Sequence, residues 1–142
     1  MRERTLLFVC EYNACRSQLG EAVARSIVPR DWRVFSAGLR ATGVAPEVVR
    51  ALRESLIDCA SQTSKSLGDV TALPIDDVFV LAAPAIAPVR AAFPRARIWE
   101  WPMDDPLRAP GGAARAEAAV RDTRNELRRR LTAWMLGESG AI

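Results

Sequence analysis

Cys10 and Arg16, six positions apart near the start of the chain, are the residues whose types and spacing are best suited to chemistry. A cysteine thiolate is a strong nucleophile, and a planar guanidinium can grip two oxygens of a tetrahedral oxyanion at once. The sequence contains no histidine, so a Cys–His pair is excluded, and backbone amides, a helix dipole and Arg16 would have to ionise the thiol. The pair therefore indicates nucleophilic attack on a phosphoryl or arsenyl centre.

Two secondary-structure elements would hold this pair together. The apolar residues 5–9 predict a short buried strand, and residues 17–28 have the pattern of a helix. The loop between them ends at a helix N-terminus, where backbone N–H groups converge on one anion. The spacing alone is weak, because 19 of the 20 basic residues are arginine, and a cysteine after an apolar strand is often a small buried side chain. The strand, the helix, Asn13 within the turn and Ser17 behind the arginine together favour an oxyanion-binding loop.

The elements alternate along the chain in the order of a parallel α/β fold. They are predicted at residues 5–9 (strand), 17–28 (helix), 32–36 (strand), 46–56 (helix), 77–82 (strand), 86–93 (helix), 97–101 (strand) and 114–136 (helix). We therefore predict a single α/β domain with a four-stranded parallel sheet, helices on both faces and a Cys-x5-Arg phosphate loop after strand 1. Reactive loops of such folds follow the carboxyl ends of the strands. Cys10, Ser36 and Asp105 lie at or after strand ends, so we expect them to meet at one edge of the sheet.

The motifs resemble those of a known family, the low-molecular-weight protein tyrosine phosphatases together with the thioredoxin-coupled arsenate reductases that share their fold. The resemblance runs through nearly the whole chain and rests on the loop from Cys10 to Ser17, on Ser36-Ala37-Gly38 at a strand end and on Asp105-Pro106. It implies that residues 1–142 form one low-molecular-weight phosphotyrosine phosphatase-like domain. It also implies an enzyme that needs no cofactor and no metal.

The resemblance assigns catalytic roles to three side chains. Cys10 would be the nucleophile, and Arg16 would clamp the oxyanion. Asp105 would protonate the leaving oxygen and then activate water, as one carboxyl does in a two-step displacement. Asp104 is the rival for the acid, but the position before Pro106 is the one that the family uses.

The same resemblance implies an oxyanion-binding loop made of Glu11, Tyr12, Asn13, Ala14, Cys15, Arg16 and Ser17. Asn13 would hold the loop open through hydrogen bonds to the loop's own backbone and to Ser36. Ser17 would donate a hydrogen bond to the thiolate. The side chains of Glu11 and Tyr12 would face outwards and contact the substrate.

The other cysteines bear on which branch of the family the chain resembles. Reductases of the family release arsenite through two further cysteines after the third strand, and the ungapped positions of that pair are Ala82 and Val89 here, so the relay is missing. Cys15 is either a redox partner that forms a reversible disulfide with Cys10 or a small side chain packed beneath the loop. Cys59 is interpreted as a buried structural thiol.

Two enzymatic activities and one non-enzymatic role therefore stay open. Gln18 and the run Asp104-Asp105-Pro106 favour the reductases, whereas the missing relay favours the phosphatases. We predict a cysteine-dependent phosphatase that hydrolyses phosphotyrosine-type phosphate monoesters through a phosphocysteine intermediate. The alternatives are an arsenate reductase that uses an external thiol partner and a non-catalytic oxyanion-binding or regulatory module. The expected partners are a phosphorylated substrate or arsenate and, for a reductase, a thiol reductant.

The composition argues against other functional classes. The net charge is +3 and the pI is about 9.1, but the arginines of the last helix form i,i+4 pairs with glutamates, so we expect a solvated face and no nucleic-acid partner. No apolar run approaches the roughly 20 residues that span a bilayer, so no membrane partner is expected. With three cysteines and no signal peptide, we expect a reducing, cytoplasmic location.

Overall fold

Four parallel strands form the sheet of this protein. The structure is a computed structural model that describes residues 3–138, and its strands are β1 (Thr5–Cys10), β2 (Arg33–Gly38), β3 (Asp77–Val80) and β4 (Arg97–Glu100). Their order is β2-β1-β3-β4, and every neighbouring pair is parallel. This confirms the predicted sheet. The strand order reverses between β1 and β3, so the switch point lies beside the strand that ends at Cys10.

Helices cover both faces of this sheet, as predicted. They are α1 (Arg16–Ile27), α2 (Pro46–Glu54), α3 (Ile86–Ala92) and α4 (Ala113–Glu138), and 3₁₀ turns cover Leu67–Asp69, Ala83–Ala85 and Pro106–Arg108. Alternate residues of β1 point to opposite faces. Phe8 packs in one apolar cluster with residues of α1, α2 and α4, while Val9 packs in a second cluster with residues of α3. All six residues of β1 are buried, as is typical of a central strand in a parallel sheet.

Two glycines allow the chain to approach itself closely around the loop after β1. A Cβ atom added at Gly20 of α1 would lie 2.5 Å from the Phe8 ring, so this helix packs directly onto β1. A Cβ atom added at Gly38, the last residue of β2, would lie 2.5 Å from the backbone nitrogen of Asn13 and 2.8 Å from the carbonyl carbon of Tyr12. The end of β2 therefore lies directly against the loop between β1 and α1.

Helix α2 ends at Glu54, earlier than the predicted residue 56, because Leu56 adopts a left-handed φ of 57°. The Leu56 amide donates to the carbonyl of Arg53, and the Ile57 amide donates to the carbonyl of Leu52. These two hydrogen bonds form a Schellman motif, which normally places glycine at the left-handed position. A leucine therefore occupies a backbone conformation that suits glycine.

Strand β3 is also shorter than predicted. It ends at Val80 rather than at residue 82, because Pro84 lies in the 3₁₀ turn that begins at Ala83 and cannot continue a ladder of backbone hydrogen bonds.

Within residues 3–138, no helix combines the length and the apolar composition that crossing a membrane requires.

Candidate active site

Cys10 is the last residue of β1, and its side chain is buried at the start of the loop that leads into α1. Its sulfur lies 2.8 Å from the Ser17 hydroxyl oxygen. That oxygen also accepts a hydrogen bond from the Asn13 side-chain amide at 2.8 Å. Because a hydroxyl donates and accepts at once, Ser17 can donate to the sulfur while it accepts from Asn13. The arrangement suits stabilisation of a Cys10 thiolate.

Asn13 forms the turn of the loop. It is fully buried and has a φ of 49°, a left-handed conformation that asparagine tolerates better than most residues. Its amide nitrogen donates to the Ser36 hydroxyl at 3.0 Å, and its side-chain oxygen accepts from Gln18 at 2.9 Å and from the Lys65 backbone at 2.7 Å. The expected hydrogen bond to Ser36 is therefore present. The expected bonds from the side chain to the loop's own backbone are replaced by bonds to neighbouring segments.

Arg16 is the first residue of α1, and its side chain is only 5% exposed. One terminal nitrogen donates to the carbonyl oxygen of Met103 at 3.0 Å. The other terminal nitrogen lies 3.5 Å from a Glu11 carboxylate oxygen and 3.9 Å from a carboxylate oxygen of Asp105. The guanidinium is thus fixed from one side by the segment before Asp105, and two carboxylates border its other nitrogen.

Asp105 precedes the 3₁₀ turn Pro106–Arg108, and one of its carboxylate oxygens accepts from the Leu107 amide at 3.1 Å. The hydrogen bond fixes the orientation of this carboxyl, whose other oxygen faces Arg16. Asp104 is exposed and borders a separate groove between this segment and α4. Of the two adjacent acids, Asp105 is therefore the one that reaches the same pocket as Cys10.

A pocket of about 280 Å³ opens above these residues. It is lined by Cys10, Tyr12, Ala14, Cys15, Arg16, Thr42, Asp105, Leu107 and Arg108. The pocket joins the loop between β1 and α1 to the segment after β4, which is distant from that loop in sequence. Ser36, Asn13 and Ser17 support its floor from behind, and Glu11 lies beside Arg16 without lining the cavity.

Cys15 is buried, belongs to the same apolar cluster as Phe8 and also borders the pocket. Burial, with a smaller contribution from the Asp105 carboxylate, raises the pKa of the Cys15 thiol well above its usual range. The side chain is therefore a neutral thiol at physiological pH, which favours packing over reactivity. Cys59 is half-buried in the segment after α2 and packs against the same apolar cluster as Phe8.

Gln18 holds the loop from the side of α1, a role that the sequence did not reveal. Its side-chain nitrogen donates to the backbone oxygen of Asn13 at 3.0 Å and to that of Thr63 at 2.9 Å. Gln62 donates in turn to the Gln18 side-chain oxygen at 2.6 Å. Burial is the feature that indicates this role. Every residue of α1 from Arg16 to residue 24 is buried, and a buried side-chain amide needs hydrogen-bond partners.

Glu21 is a second buried polar residue of α1, and its role was not predicted from the sequence. Its carboxylate accepts a hydrogen bond from the Ser36 hydroxyl and pairs with Arg25, and the Lys65 ammonium lies 4.0 Å away. Through Ser36 and Asn13 this carboxylate is connected to the loop that carries Cys10.

Among residues 3–138, no group of three or more cysteine, aspartate or glutamate side chains is arranged to hold a metal ion.

Comparison with known proteins identifies the family of this chain. A family model for low molecular weight phosphotyrosine protein phosphatases matches residues 5–138. The arsenate reductase of Bacillus licheniformis is 33% identical over 131 residues, which cover 92% of this chain and 94% of that protein.

Solved structures share the fold. An arsenate reductase in the phosphate-binding state superposes with a TM-score of 0.80 at 24% identity, covering 94% of this chain and 98% of the other. An arginine phosphatase, YwlE, with a phosphorylated serine in place of its active-site cysteine, superposes with a TM-score of 0.71 at 26% identity, covering 94% and 95% of the two chains. This chain therefore belongs to the low-molecular-weight phosphotyrosine protein phosphatase family.

Proposed function

We propose that this protein is a cysteine-dependent phosphatase that hydrolyses phosphotyrosine-type phosphate monoesters. The observation that carries the proposal is that Cys10, Arg16 and Asp105 border one pocket of about 280 Å³. In this proposal the three side chains serve as nucleophile, oxyanion clamp and proton donor around a space large enough for a phosphoryl group. Cys10 and Arg16 stand at the two ends of one loop and Asp105 on a distant segment, and each is held by hydrogen bonds or burial before any substrate arrives.

The geometry supports a two-step displacement. In the first step the Cys10 thiolate attacks phosphorus, Arg16 holds two phosphoryl oxygens, and protonated Asp105 gives its proton to the leaving oxygen as the phosphorus–oxygen bond breaks. In the second step a water attacks the phosphocysteine and gives its proton to the Asp105 carboxylate. The phosphorus–sulfur bond then breaks, and the Ser17 hydroxyl, 2.8 Å from the sulfur, stabilises the thiolate that leaves.

The cysteine positions favour hydrolysis over an internal reductase cycle. The positions aligned with the relay of the reductases, Ala82 and Val89, are occupied by fully buried apolar side chains. Cys15 is the one other cysteine that lines the described pocket, and its raised pKa makes it a slow nucleophile at neutral pH.

An arsenate reductase with an external thiol partner is the second candidate, because relatives at 33% identity carry that name. Its first step would be the same, with Cys10 attacking arsenate and water leaving. An external thiolate would then attack the Cys10 sulfur, the arsenic would depart as arsenite with the electron pair of the arsenic–sulfur bond, and a second thiol would reduce the mixed disulfide. The residues on which the first step depends are shared by both activities.

Assays of the purified protein separate the two candidates. We expect hydrolysis of an aryl phosphate by the wild type and by Cys59→Ser, which is the matched control, and no measurable turnover by Cys10→Ser. Activity of Cys10→Ser within tenfold of the wild type would exclude Cys10 as the nucleophile. Reduction of arsenate with glutathione, mycothiol or thioredoxin, without hydrolysis of aryl phosphate, would establish the second candidate instead. Binding of phosphate without either turnover would indicate an oxyanion-binding module.

A further inference from the structure

Tyr12 is an aromatic side chain at the wall of the pocket. The other described residues that line the cavity are aliphatic, charged, a threonine or cysteines. The segment after Asp105 supplies Leu107 and Arg108 to the lining of the pocket and no aromatic ring. An aryl group bonded to a phosphate on Cys10 would therefore find its aromatic contact on the phosphate loop itself.

Tyr12 is contacted at its main chain by Thr42 and at its hydroxyl group by Arg108. At the main chain, the Tyr12 carbonyl oxygen accepts from the Thr42 amide at 3.2 Å and from the Thr42 hydroxyl at 3.4 Å. At the far end, the Tyr12 hydroxyl accepts from the Arg108 guanidinium at 3.1 Å, and the same guanidinium lies 5.7 Å from the ring centroid. The main-chain contacts anchor the backbone of Tyr12, and the Arg108 contact favours one ring orientation, so less conformational freedom is lost when a ligand packs against the ring.

Arg108 connects this ring to the segment that carries the acid. Its Nε atom lies 3.9 Å from a carboxylate oxygen of Asp105. Tyr12, Arg108 and Asp105 therefore form a chain of contacts that begins on the phosphate loop and ends at the carboxyl facing Arg16. The ring is thus held near the position from which a leaving group departs, rather than at a distant surface.

We infer that Tyr12 is a specificity-determining residue that selects phosphates bonded to an aryl group, and that Arg108 positions its ring. The inference deepens the proposed function by naming the residue that selects the aryl group at the same site, and its role in catalysis rests on that function. Contacts between aromatic rings typically contribute enough to change a binding constant by about threefold to tenfold beyond the burial of area. The Tyr12 ring therefore raises the affinity for aryl ligands over alkyl ligands by the same factor.

Binding of two phosphonates, measured by calorimetry, tests the inference without requiring turnover. Phenylphosphonate and methylphosphonate share the group that Arg16 would clamp and differ in the ring. We expect the preference of the wild type for phenylphosphonate to fall about threefold to tenfold in Tyr12→Leu, which keeps an apolar side chain without a ring. Tyr12→Phe retains the ring and should keep most of the preference, whereas Arg108→Gln should lose about twofold to threefold of it.

The outcomes decide separately on the inference and on the proposed function. An unchanged or increased preference for phenylphosphonate in Tyr12→Leu would overturn the inference, even if the wild type hydrolyses aryl phosphates. A preference that depends on the ring, in a protein that hydrolyses no aryl phosphate, would support the inference and contradict the proposed function. If Tyr12→Leu bound neither phosphonate, Arg108→Gln would decide, because an unchanged preference there would show that the ring is not positioned as inferred.

Discussion

Replacing Gly38 by alanine tests whether the end of β2 sets the geometry of the phosphate loop. The added Cβ atom would lie 2.5 Å from the backbone nitrogen of Asn13, 2.7 Å from the backbone oxygen of Arg40 and 2.8 Å from the carbonyl carbon of Tyr12. All three neighbours are backbone atoms, so no side chain can rotate away. Non-bonded heavy atoms pack at about 3.5 Å or more, so the loop or the strand end must move by roughly 1 Å.

The size of that movement sets the expected effects. Overpacking of this kind costs about 1–3 kcal/mol of the free energy of unfolding. A misplacement of about 1 Å in a catalytic arrangement lowers the rate by roughly 10²-fold. We therefore expect Gly38→Ala to lower kcat/KM for an aryl phosphate by roughly 10- to 100-fold, while the protein remains folded at room temperature.

Gly68→Ala is the matched control. A Cβ atom at Gly68 meets nothing within 4 Å, so we expect its free energy of unfolding to stay within about 0.5 kcal/mol of the wild type. Urea unfolding, kcat/KM and the affinity for inorganic phosphate should be measured for both variants. The phosphate affinity reports on the loop even if the protein is not a phosphatase. If Gly38→Ala behaved like Gly68→Ala in all three measurements, the close approach of β2 would not set the loop geometry.

Three further predictions concern Asp105, Leu56 after the end of α2, and the buried thiol of Cys15. In steady-state assays, Asp105→Asn should slow phosphoryl transfer from a poor leaving group by roughly 10²–10⁴-fold, whereas Asp104→Asn should change the rate little. If the two variants exchanged these phenotypes, the general acid would be Asp104. Leu56→Gly should raise the free energy of unfolding by about 0.5–1 kcal/mol in urea titrations, because Leu56 is 94% exposed at a φ of 57°; a loss of stability would contradict this reading. The raised pKa of Cys15 means that the folded state keeps a proton which the unfolded chain loses above its ordinary value of 9.0. The contribution of this thiol to the free energy of unfolding is therefore present below that pH and falls by about 1.4 kcal/mol per pH unit above it. Urea titrations of Cys15→Ala between pH 8 and 10 should not show this fall.

The sequence predicted those parts of the molecule that depend on local signals. Alternating strands and helices predicted the parallel sheet, and the rule that reactive loops follow strand ends agrees with the positions of Cys10 and Asp105 at one pocket. Ser36, expected at a strand end, lies inside β2, which continues to Gly38. The Leu56 turn was not predicted, because leucine carries no signal for a left-handed residue. Its cause lies in the hydrogen bonds of the Schellman motif, not in the side chain.

Contacts between distant segments could not be predicted from one sequence. The Tyr12 and Arg108 side chains that meet at the pocket are 96 positions apart, and neither has a neighbour in sequence that indicates the other. The partners of Gln18 lie on a segment without regular structure, so no periodicity places it. Burial of a polar residue reveals that partners must exist, but only the assembled fold determines which ones.

The position of Cys10 at the end of the central strand has a consequence for partial unfolding. The amides of Leu6 to Val9 are fully buried and pair with strands on both sides, so they belong to the segment that exchanges with solvent only when the whole domain opens. Asp105 lies on an irregular segment at the surface, whose opening costs less free energy. Low urea concentrations should therefore release Asp105, the proposed proton donor, first, and leave a protein that still binds oxyanions at Cys10 but turns them over slowly.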